Sequence, residues 1–450
     1  MQARRVRPET GPIDRRRLAA AGLSAVLPGL GQAFNRRSRL AALFLLPSLL
    51  ILGLGVLLLS TQSLTRLAAF VVAPPVLGAL LTINLLLLAW RLLAVGQAFL
   101  DTGRPGPTGR LGVAGIVVIA ILVAIPHVLA YQYGSAFGDA FAQMFEDERG
   151  EGADAGPPLD ERVNVLLIGT DKTRLRSATL TDTMMVVSID PVGDTVTMLS
   201  VPRDLIDVPL GNGDTFGPKL NSLMSYADEH PDEFPDGGVA ALENAIAALL
   251  EIDIHYFAEL KFGSFIRMVD AVGGVDIDVT QGFDDPTYDG YGLEGRGWSI
   301  TAGQHHLDGR NALAYSRARK AAGESDFTRA LRQQQVIIAL RDAVTRDGSL
   351  LWELPDLLDA VGDAVRTDLP ASRLPQLAAV MDEIDDDAIT RSIIRHPLVR
   401  SVDTRYGSSL QPDLAAIRDV ADGLFPEPGI EPTPWPTPEP TPKPKATPMS

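Results

Sequence analysis

The stretch Asn164-Val-Leu-Leu-Ile-Gly-Thr-Asp171 decides the fold class, because it is an apolar run of strand length that ends in a polar pair. Two similar runs follow at Thr183-Met-Met-Val-Val-Ser188 and Thr195-Val-Thr-Met-Leu-Ser200, and Asp190-Pro-Val-Gly-Asp194 between them has the composition of a turn. Short apolar runs bounded by turns are typical of buried strands. These residues therefore predict the core of a sheet.

Apolar residues at helical spacing follow these strands. Residues 240–250 and 262–272 show that spacing, and strand-like runs at 254–259 and 275–279 are interleaved with them. This alternation predicts an α/β domain in which helices cover a sheet. Further amphipathic helical patterns occur at residues 326–345, 352–365, 373–384 and about 412–425. The domain is predicted to occupy residues 161–425.

Long apolar runs precede this domain. Residues 40–60, 67–90 and 111–131 contain no charged side chain, and each meets the roughly 20 residues that a bilayer core requires. We predict that residues 1–132 form a cytoplasmic N-terminus and a membrane anchor of three transmembrane helices. Residues 18–34 are also apolar, but Pro and Gly interrupt them, so we interpret them as re-entrant or surface-lying rather than as a fourth span.

Charge is divided unevenly along the chain. Residues 1–132 carry 13 basic and 3 acidic residues, and the remainder carries 27 and 53, so the net charges are +10 and −26. Arginines before the first span favour a cytoplasmic N-terminus, and three spans then place the acidic domain outside the cell membrane. An acidic domain is unsuited to nucleic acid. The chain has no cysteine, which excludes disulfides and thiolate metal sites.

Two segments lack the patterns of a folded core. Residues 133–160 are rich in Gly, Ala and acidic side chains without sustained periodicity, which predicts a linker. Residues 426–450 form a Pro/Thr/Glu tract that favours extended polyproline II. We predict a disordered tail, either a spacer that threads the wall or a segment without function.

Polar clusters lie at the ends of the predicted strands. Asp171 ends the first strand, Asp182 enters the second, and Arg203 and Asp204 follow the third. Asp171 and Asp182 could together hold Mg²⁺, which takes one or two carboxylates and completes its shell with water and substrate phosphate. For either residue alone a turn or cap is the favoured interpretation, and it is the pairing that indicates a metal site.

Arginines recur near the end of the domain. Arg317 and Arg319 alternate, and Arg329 shares a helix face with Gln333 four residues later. Arginine forks bind phosphate oxygens at two points, so these residues predict a cationic pocket. Salt bridges to the many acidic residues are the alternative. Serine-hydrolase and nucleotide-binding activities are disfavoured, because neither a Gly-x-Ser-x-Gly elbow nor a Gly-rich phosphate loop with a following Lys occurs.

The order of these motifs resembles that of the LytR-CpsA-Psr (LCP) proteins of bacterial envelopes. The resemblance covers residues 164–340, about 40% of the chain, and the ordered set is far more specific than any one motif. The matching motifs are Asn164-Val-Leu-Leu-Ile-Gly-Thr-Asp171, Asp182-Thr-Met184, Val201-Pro-Arg-Asp204, Lys219-Leu-Asn221, Leu307-Asp-Gly-x-x-Ala-Leu-x-Tyr-Ser-Arg-Ala-Arg319 and Ser325-Asp-Phe-x-Arg-x-x-Arg-Gln-Gln-Gln335.

The resemblance implies an αβα sandwich with a mixed central sheet and a hydrophobic slot for a polyprenyl chain. Its pyrophosphate would be held by arginines and by Mg²⁺, or Mn²⁺, on Asp171 and Asp182. Phosphate contacts would come from Arg203, Arg317, Arg319 and Arg329, with lesser contacts from Gln333 and Lys219. The base would be Asp171, Asp182 or Asp204.

Two features depart from the family pattern. Leu180 occupies a position where the family usually has arginine, and we expect Arg176 in the preceding loop to supply the missing cation. The anchor has several spans, whereas most members have one.

The predicted function is that of an enzyme, a glycopolymer phosphotransferase. A peptidoglycan sugar hydroxyl would attack the distal phosphorus of a polyprenyl-pyrophosphate glycolipid, and polyprenyl phosphate would leave. The partners would be this glycolipid, the peptidoglycan acceptor and the membrane, with no nucleic acid. A polyprenyl-pyrophosphate hydrolase and a non-catalytic glycolipid-binding scaffold are the alternatives.

Overall fold

The structure is a computed structural model of the 450-residue chain. It describes residues 11–62, 67, 70, 71, 74–100, 108–144, 157, 158, 160–171, 180–288, 297–320, 325–346, 365–370 and 373–435. The chain divides into two compact units, residues 1–139 and 140–450.

The first unit is helical. Its helices are α1 (Gly11–Val26), α2 (Leu30–Phe34), α3 (Ser38–Thr61), α4 (Pro74–Leu100) and α5 (Arg110–Met144), the last of which continues into the second unit. In the described part of the chain, three helices are long and apolar enough to cross a membrane, at residues 38–61, 75–100 and 110–138. Their number is the number predicted.

The bounds of α4 and α5 differ from those expected. Helix α4 begins at Pro74, a residue suited to a first helical turn, and continues to Leu100 instead of ending at residue 90. Arg91 is accommodated within it because its Nη2 donates a hydrogen bond to Ala25 O at 2.6 Å. Helix α5 extends to Met144, so the first part of the predicted linker 133–160 is helical.

Helices α1 and α2 form a hairpin whose two ends both lie near the Leu100 end of α4. The Arg17 guanidinium lies 6.0 Å from the Phe99 ring near that end. The hydrogen bonds to α4 follow in chain order: Arg91 Nη2 to Ala25 O (2.6 Å), Gln32 Nε2 to Ala94 O (2.8 Å) and Asn35 Nδ2 to Ala98 O (2.8 Å). The hairpin therefore reaches the level of Arg91 along α4 and returns to the end from which it started.

The second unit is built of both strands and helices. In chain order they are β1 (Val163–Asp171), β2 (Leu180–Asp190), β3 (Thr195–Ser200), β4 (Val208–Pro209), β5 (Thr215–Phe216), α6 (Leu223–Glu229), α7 (Gly237–Leu250), β6 (Tyr256–Lys261), α8 (Phe262–Ala271), β7 (Val275–Val279), β8 (Phe283–Asp285), β9 (Trp298–Ile300), β10 (Gly303–Leu307), α9 (Gly309–Arg317), α10 (Asp326–Arg346), β11 (Val365–Thr367), α11 (Leu374–Glu383), β12 (Ile389–Ile393), β13 (Val399–Thr404), β14 (Gly407–Pro412) and α12 (Leu414–Leu424).

Six strands form a mixed central sheet in the order β11-β6-β1-β2-β3-β12. Strands β1 and β6, and β3 and β12, are parallel, and the other neighbours are antiparallel. Successive residues of a strand face opposite sides of a sheet. On β2, Met184 and Val186 accordingly join the cluster with α7 and α12, whereas Met185 and Ile189 join the cluster with α11. The predicted αβα sandwich with a mixed sheet is confirmed.

Some expectations for the second unit were wrong in detail. Val275–Val279 lies outside the central sheet, because it pairs only with Gly303–Leu307 in a two-stranded sheet. Val365, expected to end a helix, begins β11 instead, and residues 352–364 lie outside the described residues. Strands β12 to β14 were not predicted, because they are short and half-exposed and lack a clean apolar alternation.

The first part of the predicted disordered tail is packed on the domain. Gly429 N donates to Asp190 Oδ2 at 2.8 Å, and Thr433 N donates to Gly423 O at 2.8 Å. Trp435 packs against the main apolar cluster. Asp190 is itself paired with Arg162 at 2.9 Å in a buried ion pair. Residues 436–450 of the tail lie outside the described residues.

Candidate active site

A cavity of about 500 Å³ lies beside the central sheet in the second unit. One wall is a single face of α10, formed by Arg329, Gln333, Val336, Ile337 and Leu340. These residues recur at helical spacing, and the eleven residue steps from Arg329 to Leu340 extend about 16 Å at about 1.5 Å per step. The wall therefore changes from cationic to apolar along one helix.

The rest of the apolar lining comes from the sheet and α8. On α8, Phe262, Phe265 and Met268 are spaced three residues apart and so face the same side. The other apolar lining residues are Leu167, Ile168, Ala258, Leu260, Leu313 and Val365. The cavity has room and lining for a chain-like apolar group.

Asp182 reaches the cavity because the pairing of β1 and β2 is irregular. Thr170 pairs with Thr181 and Gly169 pairs with Thr183, which leaves Asp182 as the extra residue of a β-bulge. A bulge redirects side chains, and here it lets the consecutive residues Asp182 and Thr183 both line the cavity. Gly169 permits the close approach, since a Cβ there would lie 2.9 Å from the Thr183 Cβ.

Arg203 lies at the centre of a row of charges. Its Nη1 is 2.5 Å from Asp182 Oδ1 and its Nε is 4.0 Å from Asp204 Oδ2, and Asp204 Oδ1 also accepts a hydrogen bond from Lys219 Nζ at 2.8 Å. Burial alone would lower the pKa of Arg203, but the carboxylates of Asp182, Asp326 and Asp204 outweigh it and raise the pKa. The guanidinium is therefore held charged and oriented.

Arg329 is the most deeply buried arginine of the cavity lining, with a side chain 8% exposed. Its Nη1 pairs with Asp326 Oδ1 at 2.8 Å, one helical turn away, while Arg319 Nη1 is 3.9 Å from the same oxygen. Burial lowers the pKa of Arg329, the nearby Arg203 lowers it further, and Asp326 opposes both. Two buried like charges so close together favour binding of an anion between them.

Arg317 is placed by aromatic rings. It is the last residue of α9, and its guanidinium lies 4.3 Å from the centroid of the Phe262 ring and 6.0 Å from that of Tyr288. Stacking of a guanidinium on an aromatic ring is favourable, and it leaves the N–H groups in the guanidinium plane pointing away from the ring. Arg332 is stacked in the same way on Phe283 at 4.3 Å, but it does not line the cavity.

A buried carboxylate organises the loop that carries Arg319. Asp285 is 2% exposed, and its Oδ2 accepts hydrogen bonds from Arg319 N and Lys320 N, each at 3.0 Å. Its Oδ1 accepts hydrogen bonds from Thr287 N at 3.0 Å and Thr287 Oγ1 at 2.9 Å. Burial would raise the pKa of Asp285, but these hydrogen bonds outweigh it and lower the pKa. The carboxylate thus positions the loop rather than reacting.

The divalent metal expected from the sequence stays a prediction. No cluster of three or more His, Cys, Asp or Glu side chains that could hold a metal occurs among the described residues. Asp182 lines the cavity and its Oδ2 accepts no hydrogen bond from the described residues. The backbone of Asp171 pairs with Leu180, two residues before Asp182. One or two carboxylates with phosphate and water suffice for Mg²⁺, so the donor set fits.

The structure brings most of the predicted site residues together. Asp182, Arg203, Arg317, Arg319, Arg329 and Gln333 line the cavity. Asp204 and Lys219 do not, because they pair with each other beside Arg203. The side chain of Asp171 and all of Arg176 lie outside the described residues.

Several lining residues were missed from the sequence. Lys320 directly follows the arginine pair, and that adjacency was a usable signal. Asp285, Tyr288 and Phe262 gave no local signal, since their roles depend on contacts with α9 and the loop after it.

The cavity beside the central sheet has a cationic end and an apolar end, a combination that suits an amphipathic anion. The family model described as the LytR_cpsA_psr family matches residues 132–418. The chain therefore belongs to the LytR-CpsA-Psr family.

Named relatives and solved structures are similar to about half or more of the chain. The polyisoprenyl-teichoic acid–peptidoglycan teichoic acid transferase TagU of Halalkalibacterium halodurans is 28% identical over 262 residues, which is 57% of this chain and 78% of the relative. TagU of Oceanobacillus iheyensis is 32% identical over 218 residues, 48% of this chain and 62% of the relative. Bacillus subtilis TagV is 25% identical with a TM-score of 0.46 over 58% of this chain and 96% of its own. TagT bound to LIIa-WTA is 22% identical with a TM-score of 0.47 over 61% and 96%.

Proposed function

We propose that the chain is a metal-dependent phosphotransferase that attaches a polyprenyl-pyrophosphate-linked glycopolymer to peptidoglycan through a phosphodiester. The observation that carries the proposal is the α10 wall, which leads from Arg329 through Gln333 to Leu340 within one cavity. An isoprenoid chain matches the apolar part and a pyrophosphate matches the arginines. The TagU relatives are named for a reaction of this class.

In this proposal the arginines bind and neutralise the pyrophosphate. Arg203 and Arg329 approach from the sheet side and from α10, and Arg317 approaches from the end of α9. Their partners already fix them, so little reorganisation is needed when charge moves onto the leaving group. Mg²⁺, when bound by Asp171 and Asp182, would supply further positive charge beside the pyrophosphate.

The reaction needs an acceptor for one proton. The peptidoglycan hydroxyl oxygen forms a bond to the distal phosphorus, the bond from that phosphorus to the bridging oxygen breaks, and polyprenyl phosphate leaves with the electron pair. We assign the proton to Asp182 or Asp171, the carboxylates of the β1–β2 end. Asp204 is bonded to Lys219 at 2.8 Å, so we assign it the role of holding Lys219 and Arg203 in place.

We also propose that the second unit lies outside the cell. The hairpin enters and leaves at one end of α4, so the arginines before and after it share a side, and three spans then follow. Because the chain has no cysteine, single cysteines can report topology. A membrane-impermeant maleimide on intact cells should label Ser408→Cys, in the second unit, and should label Ser38→Cys only after permeabilisation. The reverse pattern would refute this topology.

The function is tested with purified full-length protein, a synthetic polyprenyl-pyrophosphate glycolipid and isolated peptidoglycan. Covalent attachment of the labelled glycan to peptidoglycan, with release of polyprenyl phosphate, is the expected result. Polyprenyl phosphate formed at the same rate with and without peptidoglycan, and with no attached glycan, would indicate a hydrolase. Saturable binding of the glycolipid without turnover would indicate a scaffold.

A further inference from the structure

The first unit has a groove that the proposed reaction does not use. It runs between the start of α3 and one face of α4 and has a volume of about 1030 Å³. Its lining is Arg37, Leu40, Ala89, Leu92, Leu93, Gly96, Gln97 and Leu100. The α4 members recur every three or four residues, so they form one helix face, and most of them are apolar.

The dimensions of the groove match one leaflet of a bilayer. The eleven residue steps from Ala89 to Leu100 extend about 16 Å at about 1.5 Å per step, close to half of a hydrocarbon core about 30 Å thick. The groove floor is open at Gly96, where an added Cβ would meet no atom within 4 Å. A single acyl chain has the length and width to lie along this face.

Positive charge is concentrated at the Leu100 end of the groove. The two ends of the hairpin lie side by side there, with the Arg16 guanidinium 5.4 Å from the Phe34 ring centroid. Exposed arginines at the two ends of the hairpin are Arg15, Arg16, Arg36, Arg37 and Arg39. In the described part of residues 11–132 the one acidic residue is Asp14, which is buried and accepts a hydrogen bond from Gly109 N at 3.1 Å.

We propose that this groove is a binding site for an anionic phospholipid. One acyl chain lies on the α4 face over Gly96, and the headgroup phosphate lies at Arg37, where α3 begins. An arginine fork binds a phosphate at two points, and the neighbouring arginines favour lipids of net negative charge. The site is independent of the proposed reaction.

The test uses the full-length protein in detergent and native mass spectrometry. Phosphatidylglycerol and phosphatidylcholine with identical acyl chains are titrated, and bound lipid is counted. Arg37→Gln removes the proposed phosphate contact, and Arg110→Gln is its matched control, since Arg110 is exposed at the start of α5 but does not line the groove. Gly96→Leu fills the groove, and Gly78→Leu is its control on the same helix, because a Cβ there also meets no atom within 4 Å.

The proposal predicts tighter binding of phosphatidylglycerol than of phosphatidylcholine. Arg37→Gln should weaken phosphatidylglycerol binding on the order of tenfold and remove most of that preference, and Gly96→Leu should weaken binding of both lipids. Equal losses in Arg37→Gln and Arg110→Gln would mean diffuse attraction and overturn the site. Equal behaviour of Gly96→Leu and Gly78→Leu, or equal binding of the two lipids by the wild type, would overturn it as well.

Discussion

The two ends of the candidate active-site cavity are built in different ways. The apolar end takes its residues from regular elements, such as the α10 face that ends at Leu340. The cationic end takes its residues from irregular places: the bulge at Asp182, the turn at Arg203, the last residue of α9 and the first turn of α10. The free energy of apolar binding is spread over many contacts, whereas the position of each charged side chain depends on one or two neighbouring residues. Single substitutions should therefore cost far more at the cationic end.

The largest effect is expected at Asp182. Asp182→Asn removes the charge opposite Arg203 and one of the two proposed metal ligands, so turnover should fall by about 10²- to 10³-fold. The side chain is 21% exposed, so the fold should persist, which circular dichroism would verify. Asp204→Asn is the control outside the cavity and should lose less. Wild-type turnover of Asp182→Asn, or of the wild type in excess EDTA, would contradict the proposed metal role.

A smaller effect distinguishes buried from exposed arginines within the cationic end. Arg329 is 8% exposed and Arg319 is 41% exposed. Lysine keeps the charge but loses the planar fork, so Arg329→Lys should raise KM by about ten- to a hundredfold through the lost charge-assisted hydrogen bond. Arg319→Lys should change KM by less than about threefold, because water replaces its contact. Equal KM values for the two variants would show that burial does not set their importance.

The same contrast explains what could be predicted from the sequence. Periodic apolar runs predicted β1 to β3, α7, α8 and α10, and the helix spacing of Arg329 and Gln333 placed both on one cavity wall. Charged residues of the LCP motifs predicted most of the cationic lining. These features depend on residues that are close together in the chain, and such local patterns can be recognised in a single sequence.

Features that depend on distant contacts were not predictable. The bulge at Asp182 is a property of β-strand pairing, and the helical continuation of α4 past Arg91 depends on Ala25 in another helix. The docking of Trp435 depends on a cluster formed by several elements. A Pro-rich composition alone indicates the absence of a core, but it does not show whether a neighbouring surface accepts the segment.

Asp285 tests whether the cationic end depends on a carboxylate that holds the loop of Arg319 and Lys320 in place. Each oxygen of the Asp285 carboxylate accepts two hydrogen bonds, one oxygen from Arg319 N and Lys320 N and the other from Thr287. In Asp285→Asn one of these oxygens is replaced by an NH₂ group, which cannot accept hydrogen bonds, so the loop of Arg319 and Lys320 should shift. We expect KM to rise on the order of tenfold with kcat little changed. Asp284→Asn is the control, since Asp284 is exposed and adjacent.

The same variant has a pH signature. The pKa of Asp285 is lowered in the folded protein from its ordinary value of 3.8. The carboxylate therefore stabilises the fold at pH values above that ordinary pKa, and this contribution is lost as the pH falls through the folded-state pKa. Asp285→Asn should therefore flatten the acid limb of a Tm-against-pH curve relative to Asp284→Asn. An unchanged limb together with an unchanged KM would show that the loop is held by other contacts.

The smallest effect is expected at the apolar end, and it depends on the length of the substrate chain. Leu340 lies eleven residues beyond Arg329 on the same face of α10 and is half-buried. Leu340→Ala removes apolar area worth about 1 kcal/mol at roughly 25 cal/mol per Å², which is about a fivefold rise in KM. That rise should appear for a glycolipid with a full-length isoprenoid and disappear for one with a chain too short to reach Leu340. Leu331→Ala, the same substitution on the same helix at a position that does not line the cavity, should leave KM unchanged for both. If Leu340→Ala affects both substrates equally, the isoprenoid does not extend along α10, and the division of the cavity into a phosphate end and a chain end is wrong.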